Sequence, residues 1–210
     1  MHIRRVTLEG YEADDLLGTL SQRCEEQGVD CLIVTGDRDA FQLAGEHTTI
    51  LYTRQGLSDI LRVTPQYMLD TYGVTPAQFI DMKGLMGDSS DNIPGVAGVG
   101  EKTAQKLIAK YGTLDKVLET ADAEQKGKLR ERLLEGAESA RFSRWLATID
   151  RHAPLEVAPE DCEIGHLTDA IPLLRRLSLK SAEQKLVVLC GEETAPAEAP
   201  EKEEKTVEAS

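Results

Sequence analysis

The chain has 210 residues, 40% of them apolar, and a formal net charge of −13; that is enough for one to one and a half domains with their own core. The four cysteines, Cys24, Cys31, Cys162 and Cys190, form no C-x-x-C pair, which argues against a zinc site or a disulfide framework. The longest apolar run, Leu186 to Cys190, is far short of the roughly 20 residues of a membrane helix, and no apolar segment follows Met1-His2-Ile3-Arg4-Arg5. The expectation is therefore a cytoplasmic protein with reduced thiols and no membrane partner.

The negative charge is unevenly placed. From Glu192 to Ser210, seven glutamates face only Lys202 and Lys205, in an Ala/Pro/Glu stretch without apolar periodicity. This acidic segment, taken as 191–210, reads as a disordered linker or terminus. The remaining chain is nearly neutral once seven carboxylates in three tight clusters are set aside.

In chain order, Gly10-Tyr11-Glu12-Ala13-Asp14-Asp15-Leu16-Leu17 opens a helix with carboxylates in its first turn, where the helix dipole favours them, and the helix ends near Gly28. Cys31-Leu32-Ile33-Val34 reads as a strand buried on both faces and stops at Thr35-Gly36-Asp37. Helix followed by buried strand predicts an α/β core with a mainly parallel sheet, residues 1–63, with more strand at Thr49–Thr53 before a Gln55-Gly56 turn. From Thr64 the pattern becomes short helices. Thr64-Pro65 and Thr75-Pro76 are N-cap and first-turn pairs, Thr75 with Gln78 forms a capping box, and Gly73 and Gly112 follow helix ends. This helical region, 64–190, is expected to run to about Ile149, to be irregular over 150–165, and to resume at Leu167–Leu177. Ser181–Leu189 fits either helix or strand.

The three clusters are Glu12, Asp14 and Asp15; Asp37 and Asp39, just after the strand; and Asp88 and Asp91 in Gly87-Asp88-Ser89-Ser90-Asp91-Asn92. Glu12 and Asp15 share one helix face, and ligands of open α/β sheets bind beyond the carboxyl ends of strands. Any one cluster alone also reads as a solvated cap or turn. Together they repel unless a cation or proton joins them, and oxygen donors without histidine or cysteine point to Mg²⁺ or Mn²⁺. An EF-hand beginning at Asp37 fails for lack of the required glycine and glutamate. Seven carboxylates suit a two-metal site, about 4 Å between ions, and a phosphodiester substrate.

Ile93-Pro94-Gly95-Val96-Ala97-Gly98-Val99-Gly100 then runs into a helix starting Glu101-Lys102-Thr103. Its G-x-x-G-x-G order after a polar turn is not the dinucleotide fingerprint. Open backbone N–H groups beside a helix start make Gly95, Gly98 and Gly100 a phosphate seat, with Lys102 and Lys106 on one helix face to hold a nucleic-acid backbone; a solvated lysine face is the plain alternative. Nine aromatic residues in 210 argue against a base-stacking single-strand platform.

In order and spacing, Gly10-Tyr11-Glu12-Ala13-Asp14-Asp15, Thr35-Gly36-Asp37-Arg38-Asp39 and Gly87-Asp88-Ser89-Ser90-Asp91-Asn92-Ile93-Pro94-Gly95-Val96 resemble the 5′-3′ exonuclease domains of bacterial DNA polymerase I, within the flap endonuclease family. The resemblance spans about residues 8 to 190. It implies an α/β, PIN-like core with a helix-hairpin-helix region and hydrolysis of DNA 5′ flaps and 5′ ends in replication and repair, near the nucleoid. It also implies two ions, with Glu12, Asp14 and Asp15 toward one and Asp37, Asp39, Asp88 and Asp91 toward the other. Gly95, Gly98, Gly100, Lys102, Thr103 and Lys106 would grip DNA, and hairpin carbonyls around Val96 and Val99 would hold K⁺. Family members open with a strand bearing a metal-binding aspartate and a helical arch, and this sequence reads as starting after them. Two expectations follow: a fragment or split gene whose N-terminal nuclease fragment is supplied separately, or a residual DNA-binding module with impaired chemistry; polymerase domains are a further expected partner. A ribonuclease on a related scaffold is the lesser alternative.

Overall fold

The computed structural model describes residues 3–55, 58–165 and 167–190; the acidic segment 191–210 and Gly56 of the expected turn lie outside them. Helix α1 (Ala13–Gln27) starts behind Glu12 and stops at Gly28, whose φ of 67° reverses the chain. Strand β1 (Cys31–Thr35) follows and pairs in parallel with β2 (Thr48–Thr53), which pairs antiparallel with β3 (Ile60–Val63). The sheet order is β1-β2-β3, so the expected parallel character rests on one strand pair, and β3 was not anticipated from the sequence.

Two-face burial of β1 is not what the fold gives. Ile33, in register with Ile50 and Val63, is buried with them on one face, whereas Leu32 is 59% exposed and Val34 58%. The reason is that the described residues cover only one face of the strand, the one that carries Ile33, and leave the face that carries Leu32 and Val34 open.

Helices α2 (Pro65–Tyr72) and α3 (Pro76–Met86) begin as their caps predict. Tyr67 N–H donates to Thr64 Oγ1 (3.2 Å), Gln78 N–H to Thr75 Oγ1 (3.2 Å), and Thr75 N–H back to Gln78 Oε1 (2.9 Å). Such a cap is worth about 1 kcal/mol. Four more helices follow, α4 (Glu101–Tyr111), α5 (Leu114–Glu124), α6 (Gly127–Glu135) and α7 (Ala137–Ala147), the last ending two residues before the expected Ile149.

Sheet and helices share one core. Ile33, Phe41, Ile50 and Val63 from the first part belong to the same buried cluster as Met82, Leu85, Ile108 and Leu133 from the second. A smaller cluster joins Leu16 of α1 to Ala153, Leu155 and Val157, and the Arg23 guanidinium donates to the carbonyls of Leu155 (2.7 Å) and Val157 (2.5 Å). Through that seam the irregular segment after α7 returns to the start of α1. Val6–Pro159 forms one compact unit, and the described residues from Glu160 to Cys190, with Ile3–Arg5, form another. In the second unit, α8 (Ile171–Arg176) and α9 (Lys180–Cys190) are helical, which resolves Ser181–Leu189 as helix, with Ile171 and Val187 buried.

Candidate metal centre and nucleic-acid interface

All three acidic clusters meet at the end of the sheet. Glu12, Asp14, Asp15, Asp37, Asp39 and Asp91 line one cleft of about 400 Å³, closed below by Ile93 and the Leu146–Ile149 segment. Asp37 and Asp39 also line an adjoining cleft of about 390 Å³ with Arg38, Lys83, Asp88 and Ser90. Carboxylate oxygens of Asp39, Asp88 and Asp91 lie within 4.8 Å of one another, near enough to share one cation. The donor set is all oxygen, which suits a hard divalent ion.

Each cluster is held differently. Asp15 is occupied by the backbone: Glu12 N–H donates to its Oδ2 (3.2 Å), and Asp150 N–H to its Oδ1 (2.9 Å). It thereby ties the start of α1 to the segment after α7. Asp37 Oδ1 accepts from Asp39 N–H (2.9 Å), fixing the turn out of β1. The Asp88 loop is closed by a pair of backbone hydrogen bonds between Asp88 and Ile93, both 2.8 Å, while Asp88 accepts from Ser90 N–H (2.9 Å) and the Ser90 hydroxyl.

Two glycines join this loop to the hairpin. A Cβ on Gly95 would lie 2.3 Å from the backbone nitrogen of Gly87, and one on Gly87 would lie 2.4 Å from the Ile93 carbonyl oxygen; both have positive φ. Neither position accepts a side chain. The hairpin is further seated on α7, where Gly95 N–H donates to Ser143 Oγ (2.9 Å) and Ser139 Oγ donates to the Gly95 carbonyl (2.7 Å). It is fixed on α6 by Arg132 Nη1 donating to the Gly98 carbonyl (3.0 Å). Gly100 caps α4, from which Lys102 and Lys106 project into solvent while Ala104, Leu107 and Ile108 face the core; Thr103 is half-buried.

Two basic residues were missed from the sequence. Lys83, on α3 in an otherwise apolar run, is only 5% exposed and forms ion pairs with both Asp39 and Asp88. A lone lysine among Phe79, Met82 and Leu85 was the available signal, because a buried ammonium needs partners. Arg38, between the two aspartates of its cluster, turns the other way: it pairs with Glu101 at the start of α4 (2.9 Å), donates to Tyr72 Oη (3.2 Å) and lies over the Phe41 and Tyr72 rings. It links the Asp37–Asp39 turn to the hairpin helix. Gln42, fully buried, clamps the cleft floor, donating to the Ala147 carbonyl (2.9 Å) and accepting from Ile149 N–H (3.0 Å).

Burial, with the nearby Asp37, Asp39, Glu12 and Asp15 carboxylates, pushes the Asp14 carboxyl up. Burial also pushes Asp39 up, against the opposing pull of Lys83. Asp88, bonded to Lys83 and Ser90, is held down to about 2. Burial alone would lower Lys83, but its bonds to Asp39 and Asp88 outweigh this and raise it. The two clefts thus crowd negative charge, with the Lys83 ammonium set between Asp39 and Asp88.

A pH dependence follows. In the metal-free chain, folded Asp14 binds its proton more tightly than unfolded Asp14, so its contribution to stability falls as pH rises through its raised pKa. Asp14→Asn should therefore raise the urea midpoint at neutral pH, and that advantage should shrink as pH falls into the carboxylate range. A difference between variant and parent that is the same at every pH would contradict the repulsion.

Residues 1–73 match the family model described as the 5′-3′ exonuclease N-terminal resolvase-like domain, and residues 74–170 the model described as the 5′-3′ exonuclease C-terminal SAM fold. DNA polymerase I of Bacillus caldotenax is 43% identical over 191 residues, 90% of this chain and 22% of the relative. DNA polymerase I of Bacillus subtilis is 44% identical over 198 residues, 93% of this chain and 22% of the relative. The chain thus spans about a fifth of the length of these curated relatives. Among solved structures, bacteriophage T5 5′-exonuclease with divalent zinc ions superposes with a TM-score of 0.60 at 22% identity, covering 87% of this chain and 61% of that one. A T5 flap endonuclease complex with DNA and metal ions gives 0.60 at 21% identity, covering 89% and 62%. These two likenesses concern the fold. With matched models from residue 1 to residue 170 and relatives above 40% identity along nine-tenths of its length, the chain belongs to the 5′-3′ exonuclease family.

Proposed function

We propose that this chain is a metal-dependent 5′-3′ exonuclease and 5′-flap endonuclease segment that hydrolyses DNA phosphodiesters in replication and repair. The observation that carries the reading is the convergence of seven carboxylates on two adjoining clefts at the end of the sheet. Asp37, Asp39, Asp88 and Asp91 would hold one Mg²⁺ or Mn²⁺, and the oxygens of Asp39, Asp88 and Asp91 within 4.8 Å of one another support that grouping. Glu12 and Asp14 would hold the second ion, with Asp15 in the same group by resemblance; its two backbone bonds favour a positioning share for it. When bound, such ions supply the activation of water and the charge stabilisation of the leaving oxygen.

The chain's own residues do the rest. Lys83 keeps Asp39 and Asp88 from repelling each other while the cleft is metal-free. Gly98, Gly100, Lys102, Thr103 and Lys106 would hold the phosphate backbone; Gly95, expected to share in this, is instead buried with its N–H on Ser143 and its carbonyl on Ser139, and its contact with Gly87 fixes the grip against the acidic loop. K⁺ on the Val96 and Val99 carbonyls has less support, since Arg132 already places a guanidinium on the neighbouring Gly98 carbonyl. The open face of β1 favours a second reading: a non-catalytic DNA-binding module of a 5′ nuclease whose chemistry needs a separate N-terminal fragment.

A labelled 5′-flap duplex incubated with the chain in Mg²⁺, Mn²⁺ or EDTA, scored for cleavage and gel shift together, tests both. Cutting at the flap junction that EDTA abolishes supports the nuclease; a shift with no cutting supports the binding module. Lys102→Ala with Lys106→Ala should weaken binding evenly across sequences and reduce the salt slope by about 2. An unchanged slope would return both lysines to a solvated face.

A further inference from the structure

The chain has a single tryptophan, Trp145, and it is 70% exposed. Helix α7 buries Ala140, Ser143 and Ala147, and helical periodicity therefore turns Phe142 and Trp145 outward. Phe142, itself 54% exposed, stacks on the indole with ring centroids 5.9 Å apart and planes 22° from parallel, which braces it. Elsewhere Phe41 and Phe79 are core, Tyr52, Tyr67, Tyr72 and Tyr111 pack against it, and Tyr11 is 37% exposed. Two large rings held side by side in water therefore need a reason.

Their position supplies one. Trp145 lines a cleft of about 720 Å³ together with Arg151 and His152, and Glu12, Asp15 and the Thr148–Ile149 segment line both this cleft and the acidic one. A strand whose phosphate enters the acidic cleft has a neighbouring base to place, and the adjoining cleft offers it a braced flat ring beside polar groups. We propose that Trp145 is a stacking platform for a nucleobase of the strand whose phosphate lies among the carboxylates. This rests on the nuclease reading above. It also shows why a low aromatic count does not exclude stacking: one placed ring suffices, since every base has a π-face.

The lone tryptophan makes the test direct, because fluorescence excited at the red edge, where the five tyrosines do not absorb, reports Trp145 only. The chain in Mg²⁺ is titrated with 5′-flap duplexes that carry a non-hydrolysable linkage at the junction and are identical except for one abasic site moved through the junction and flap. Binding is read in parallel by anisotropy of a label on the DNA, and cleavage is measured separately in Mg²⁺. The expected result is quenching by intact DNA that disappears for one abasic position. Trp145→Ala should then bind intact DNA roughly tenfold more weakly and be insensitive to that abasic site, with Trp145→Phe retaining most of the affinity. If DNA is bound and cut but no abasic position alters the fluorescence, and Trp145→Ala binds within about twofold of the parent, the platform is overturned and the nuclease stands. If the chain neither binds nor cuts flap DNA, the nuclease reading falls and the platform with it.

Discussion

Cleavage of a 5′-flap duplex is expected to fall at least about a hundredfold when Asp88→Asn and Asp91→Asn are combined, with DNA binding retained. Charge stabilisation by bound divalent ions is worth several kcal/mol at the transition state, and each 1.36 kcal/mol is a factor of ten in rate. Asparagine keeps the shape of each side chain but withdraws two of the three carboxylates whose oxygens lie within 4.8 Å of one another. The loop itself should survive, since its closure rests on the two backbone bonds between Asp88 and Ile93 and on the packing of Gly87 against Gly95. Binding should hold or tighten, because two negative charges leave a surface that receives phosphate. Cleavage within tenfold of the parent, in a variant whose circular dichroism is unchanged, would remove this cluster from the metal centre.

The second large effect is on stability. Lys83→Met should destabilise the metal-free chain by about 3–5 kcal/mol, the range for removing one partner of a buried ion pair. Methionine fills much of the same volume but leaves Asp39 and Asp88 facing each other without the ammonium that now joins them. Saturating Mg²⁺ should restore part of the loss, because an ion that binds only the folded chain stabilises it by mass action and supplies the missing positive charge. Acid should also narrow the gap: without Lys83, Asp39 rises further above its ordinary value and is more readily neutralised. Urea unfolding in EDTA and in Mg²⁺ measures both. An equal loss in the two conditions would mean that the lysine is kept for packing and not for charge.

Much of the site could be read from the sequence because its elements carry local signals. Thr64-Pro65, Thr75 with Gln78, and Gly28, Gly73 and Gly112 mark helix ends by chemistry confined to one turn, and the structure follows them. The seven carboxylates stood out as charge where periodicity called for turns. Lys83 did not, because a lysine in a helix ordinarily reaches solvent; its burial depends on how α3 lies against the turn after β1 and the loop after itself, which no local pattern encodes. β1 misled for a related reason. Val34 and Leu32 are as apolar as Ile33, and they are exposed only because the described residues leave their face of the strand uncovered. Trp145 was hidden inside a composition average.

By itself, then, the sequence determined the family, the helix starts at Thr64 and Thr75 and the helix ends at Gly73 and Gly112, the identity of the acidic residues and the hairpin that follows them, since each depends on side-chain chemistry within a few positions. Only the tertiary structure decided that Asp39, Asp88 and Asp91 share one point, that Asp15 is spent on backbone N–H groups, that Lys83 sits among the carboxylates, and that an exposed indole adjoins the cleft. These facts join residues as far apart as Asp15 and Asp150, and such pairings are fixed by the packing of α1, α3 and α7 around one shared core.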